Sequence, residues 1–122
     1  MSYLAKDKWV RIMTDYASDG LWAKNGCGVD ADSLPVSPTT RERLSAWCDK
    51  FQSTQFYLPP DQREKNEFDV IAHGSEGRAI ARLVKSELPD WTVVYFDKAV
   101  YKIVGSDAPR GCYEYEVVSV GK

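Results

Sequence analysis

Apolar and polar positions alternate along this chain with two different periods, and the switches between them mark out most of its elements. From Asp69 to Leu88 the side chains Ile80, Leu83, Val84 and Leu88 recur at the i, i+3, i+4, i+8 spacing of one helix face. Phe68 and Ala72 carry that face backwards, and Asp69 offers a carboxylate to cap the first free N–H groups. Pro89 ends the helix, because proline lacks the donor and restricts the residue before it. The segment Trp91–Phe96, WTVVYF, is β-branched or aromatic throughout and apolar on both alternating faces, the composition of a central strand.

The chain before this unit begins with Lys8–Thr14, KWVRIMT, which reads as a first strand with one face better buried than the other and a charge at Arg11. A segment rich in Gly, Asp, Ser and Asn follows, with Asn25 and Gly26 as its strongest turn signal. Tyr16, Leu21, Trp22, Val29 and Leu34 punctuate it, so it reads as an ordered excursion pinned by apolar residues, with a short extended piece at Leu21–Ala23. Ser37 then Pro38 is a helix start, serine at the cap and proline at the first helical position. That helix is expected to run to Phe56 with Leu44, Trp47, Cys48 and Phe51 inward, ending before Leu58-Pro59-Pro60. DQREKNE forms a charged connection into the next helix. Beyond the central strand, Val100–Val104 and Cys112–Val120 alternate and read as two strands of a hairpin around GSDAPRG.

The expected fold is therefore α/β in the α+β sense: a single two-layer domain, residues 1–122, with about four strands in one sheet and two main helices on one face. A helical pair between them is long enough for a crossover that would set the first strand parallel to Trp91–Phe96, and the spatial order of the strands is left open. A chain of 122 residues suffices for one core. No apolar run approaches the ~18 residues of a membrane span. Lys6, Asp7, Lys8 and Arg11 interrupt the start of the chain, unlike a signal peptide, so a cytosolic protein is expected. The three cysteines, Cys27, Cys48 and Cys112, form no CxxC pair and read as free thiols. A net charge of −2 argues against nucleic-acid binding and only slightly favours a basic partner.

No catalytic motif stands out. His73, the one histidine, has Glu76 three residues on and Asp69 four residues back, spacings that let a carboxylate meet an imidazole; a solvated or capping histidine is the simpler reading. A lone histidine without a cysteine at ligand spacing makes a poor zinc site, and no metal or cofactor is expected. Cys27, between two glycines, is a candidate nucleophile lacking any visible base or oxyanion hole, whereas Cys48 and Cys112 read as small buried hydrophobes. Gly74, Ser75 and Gly77 lack P-loop spacing and read as a site of close helix packing. Glu114 and Glu116 share a strand face, as a carboxylate pair or as the polar side of a half-exposed strand.

The most informative surface is the acidic excursion. Asp15, Asp19, Asp30 and Asp32 stand there against Lys24, with Tyr16 and Trp22 among them: aromatic anchors rimmed by carboxylates suit a basic protein partner. The competing reading has the aromatics pinning the loop and the carboxylates solvated.

The combination of IMTDYASDGLWAKNG, an LPVSP helix entry and FDVIAHGSEGRAIARLVKSELPDWTVVYFD resembles small cytosolic bacterial immunity proteins of contact-dependent growth inhibition and related polymorphic toxin systems. The matching positions are Asp15, Tyr16, Leu21, Trp22, Gly26, Leu34, Pro35, Phe68, Asp69, Glu76, Gly77 and Tyr95 to Asp97. The resemblance implies a non-enzymatic protein that binds a cognate toxin domain, often a nuclease, and occludes its active surface, with no catalytic residue to carry over. The expected toxin contacts are Asp19, Trp22, Asp30 and Asp32, with Glu114 and Glu116 as a second patch. The alternatives are a small cytosolic hydrolase or nuclease using His73, and a general protein-binding adaptor.

Overall fold

The structure is a computed structural model that describes residues 6–14, 19–52, 61, 70–105 and 107–118. Among the described residues five strands form one mixed sheet: β1 (Trp9–Ile12), β2 (Leu21–Trp22), β3 (Gly28–Val29), β4 (Thr92–Phe96) and β5 (Glu114–Val117), in the spatial order β3-β2-β1-β4-β5. Two long helices, α1 (Pro38–Gln52) and α2 (Val70–Glu87), connect the β3 side to β4, and a short helix α3 (Lys98–Val104) follows β4. β1 lies parallel to β4, as expected of strands joined by a helical crossover, and the other pairings are antiparallel. The expected α+β architecture holds, with five strands in place of about four.

One face of the sheet is apolar and covered. Val10, Ile12, Leu21, Val93 and Tyr95 alternate inward along their strands and are fully or almost fully buried with Leu44, Trp47, Ile80 and Val84 of the two long helices. Trp47 is the main link between helix and sheet. Its indole stacks on His73 at 5.0 Å and lies 6.3 Å from the Tyr95 ring. The helices are also cross-bonded: Trp47 Nε1 donates to the His73 carbonyl at 2.9 Å, and His73 Nε2, which must carry a proton to do so, donates to the Trp47 carbonyl at 2.8 Å. Gly77 makes this approach possible, since a Cβ there would lie 2.2 Å from Tyr95 Oη and 2.5 Å from Trp47 Cζ2. The expected close packing at the glycines is thus located at Gly77.

The helix entry at Ser37 and Pro38 forms as expected. Ser37 Oγ accepts from Thr40 N at 3.3 Å, and Glu87 from the far end of α2 accepts from Ser37 N at 2.7 Å and from the Thr40 hydroxyl. A carboxylate at the start of a helix meets free N–H groups and the positive end of the helix dipole. The Thr40 hydrogen bond, then those from Ser37, holds the Glu87 carboxyl below its usual range.

Four expectations are corrected. Val100–Val104 is helical, part of α3, because Asp97 caps it, Oδ1 accepting from Val100 N at 3.1 Å, and Gly105 ends it at φ +79°. Strand β5 is shorter than Cys112–Val120, and Cys112 is exposed in a 3-10 turn, Arg110–Cys112, where it was expected buried in a strand. Ala72 is exposed, off the inward face of α2. The excursion after β1 contains two short strands and a 3-10 turn, Ala31–Ser33; Leu21 and Leu34 pin it to the core. The expected cap at Asp69, the continuation of α1 to Phe56, and Asp15, Tyr16 and Phe68 lie outside the described residues.

Candidate functional site

The helices cover one face of the sheet, and the opposite face carries the side chains that alternate away from the core. Register places Trp22, Arg11, Val94 and Glu116 in one row across β2, β1, β4 and β5. Phe96 and Glu114 form a neighbouring row, and Trp9 and Thr92 another. Trp9, Arg11, Trp22, Thr92, Val94, Phe96 and Glu114 are half-buried and Glu116 is exposed. Trp22, Glu114 and Glu116, expected in two separate patches, therefore share one surface, because β1 and β4 bridge the strands that bear them.

Arg11 is the centre of this face. Its guanidinium lies 5.3 Å from the Trp9 ring centroid, and its Nε is 2.6 Å from Glu114 Oε2. Both of these atoms are shielded from water and lack a well-angled hydrogen bond, so their contact is chiefly ionic. The other Glu114 oxygen pairs with Arg110. Glu114 is thus not a free carboxylate but one held between two arginines. Arg11 was legible only as a charge interrupting the apolar strand KWVRIMT, and its importance comes from its row partners.

The acidic residues of the excursion occupy the β3 end of the sheet. Asp19, Asp30 and Asp32 are exposed. Asp19 Oδ2 accepts from Ala31 N at 3.0 Å, which brings it beside the other two. Trp22 does not project freely: its Nε1 donates to the Met13 carbonyl at 2.9 Å.

The catalytic alternative finds different surroundings. His73 is buried, not solvated or capping; it is stacked on Trp47 with the tilted Phe51 ring 6.1 Å away, and burial pushes its pKa below the ordinary value. Glu76 forms a two-pronged pair with Arg43 at 2.6 and 2.8 Å, whose hydrogen bond lowers its pKa. The Cys48 thiol donates to the Asp19 carbonyl at 3.1 Å, and burial raises its pKa to about 12, the state of an inert thiol. Cys27 is exposed. Among the described residues no three His, Cys, Asp or Glu side chains group as a metal site, and no helix is long and apolar enough to cross a membrane.

The structure is thus a two-layer α+β scaffold with helices behind its sheet and an aromatic, charge-bearing face in front. The sequence assigns the scaffold more narrowly: the chain belongs to the Serratia CdiI immunity protein-like family, whose model matches residues 8–98. The family is one of immunity proteins of contact-dependent growth inhibition. The matched segment contains both long helices and strands β1 to β4, and stops before β5. No curated protein matches the chain.

Proposed function

We propose that this protein binds a cognate antibacterial toxin domain in the cytoplasm and neutralises it by covering its active surface. Membership of the immunity family over residues 8–98 is the observation that carries the reading. The docking surface is the open sheet face, with Trp22 and Glu116 on it, Glu114 within it, and Asp19, Asp30 and Asp32 at its β3 edge. Half-buried tryptophans beside an arginine have the composition of interface hot spots. The exposed carboxylates speed association with a basic toxin surface. Inhibition is by occupancy, without turnover, and His73 serves the fold.

The test uses as its probe a purified candidate toxin domain, taken from the C-terminus of a large secreted protein if one is encoded beside this chain. Titrating that purified toxin domain with the protein lowers its activity linearly to zero at a fixed molar ratio. Complete inactivation by a small substoichiometric amount would overturn inhibition by binding and point to catalysis. Reversing Asp30 and Asp32 to lysine slows association by about tenfold at low salt and leaves folding intact. An unchanged rate removes that edge from the docking surface.

A further inference from the structure

The open face contains a charged group whose arrangement folding does not require. Arg11 sits on the middle strand of the sheet, between Trp22 and Val94 in its row. Taking an arginine and a glutamate out of water is costly, and well-packed apolar residues in their place are often as stable or more so. A valine at residue 11 would continue Val94. The pair Arg11 and Glu114 is therefore better explained by what it offers a partner.

We propose that Arg11 is the anchor of the toxin interface, receiving a carboxylate side chain of the toxin, and that Glu114 is a positioning residue that holds the guanidinium ready. This rests on the reading of the open face as the docking surface. A guanidinium has five N–H donors. Its Nε faces Glu114 at 2.6 Å, and the Trp9 ring lies 5.3 Å from it. The Arg11 side chain is 23% exposed, and among the described residues no hydrogen bond engages its Nη1 or Nη2. Those four N–H groups form the flat fork that fits a carboxylate.

Charge decides the sign of the partner group. Arg11 and Arg110 share the single carboxylate of Glu114, which leaves this cluster with one net positive charge and favours an anion. Glu116 in the same row and Asp30 and Asp32 at the β3 edge repel an extended polyanion, so a single acidic side chain of a protein fits and a nucleic-acid backbone does not. Holding the guanidinium in place before binding removes part of the ordering cost, and the gain appears in slower dissociation.

The experiment measures binding of the wild type, R11K, R11Q and E114Q to the same purified toxin domain, with thermal unfolding of each. R11Q is expected to bind about 30-fold or more weakly, mainly through faster dissociation, and R11K about tenfold, because lysine keeps the charge and loses the fork. E114Q lies between wild type and R11Q. It also shifts the Arg11 Nε–Hε signal in the nitrogen-proton NMR spectrum of the free protein, which a merely structural role for Glu114 elsewhere would leave in place. Wild-type binding with folded R11Q binding equally well overturns the anchor and leaves the immunity reading standing. Absence of wild-type binding overturns both. If R11Q does not fold, the Arg11 side-chain NMR signals of the wild type decide: a large shift on complex formation supports the anchor, and no shift overturns it.

Discussion

Replacing Gly77 by alanine tests the packing that joins both helices to the sheet. On an exposed helix this change gains about 1 kcal/mol of helix propensity. Here the added methyl lies 2.2 Å from Tyr95 Oη and 2.5 and 2.9 Å from Trp47 Cζ2 and Cε2, distances at which something must move. Neither ring has an easy way out. Tyr95 is 1% and Trp47 3% exposed, and Trp47 is tied through Nε1 to the His73 carbonyl and stacked on the imidazole. Overpacking a well-filled core costs about 1–3 kcal/mol, occasionally more, and two clashing rings put this site at the upper end. After the propensity gain, G77A is expected to be less stable by roughly 1–3 kcal/mol, lowering Tm by roughly 4–12 °C. Urea and thermal unfolding of wild type and G77A measure this directly. Y95F removes the nearest atom, so the double variant recovers part of the loss as a coupling between the two sites. A G77A protein as stable as wild type, or more so, refutes the close approach.

Two further outcomes follow from the buried titratable groups. Burial lowers the pKa of His73 below its ordinary 6.5, so the folded state binds this proton less readily than the unfolded chain. The stability that neutral His73 contributes is complete above pH 6.5 and is lost as pH falls through its folded-state value. Urea midpoints taken from pH 7.5 to 5 should fall, and fall less in H73Q; parallel profiles for the two proteins would refute the assignment. Cys48, with its pKa at about 12, should react with a thiol reagent at pH 8 only as fast as the core opens, whereas exposed Cys27 and Cys112 react at once. Three equally fast thiols would contradict the burial of Cys48.

Much of the fold is legible in local pattern, for a physical reason. The α1 start needs only Ser37 and Pro38, the end of α2 only Pro89, and β4 only an unbroken β-branched and aromatic run. Each of these effects acts within a few residues. The segment Val100–Val104 failed for the complementary reason. Five residues of alternating character suit either period, and the decision lay with the Asp97 cap and Gly105, while the buried Asp97 is itself held by Arg78 at 2.6 Å.

The sequence by itself determined the class of the fold, the family and the acidic character of the excursion after β1. These depend on periodicity, end signals and composition, which are properties of neighbouring residues or of the chain as a whole. Only the tertiary structure decided how the surface residues combine. Trp22, Arg11 and Glu116 lie far apart along the chain and meet in one row because β1 pairs with both β2 and β4, and β4 with β5. The same pairing turned Glu114 from an expected surface carboxylate into the partner of two arginines, and packing turned His73 from a solvated residue into a buried link between helices. Side-chain chemistry can be read one residue at a time, but strand register and helix packing set which groups share an environment.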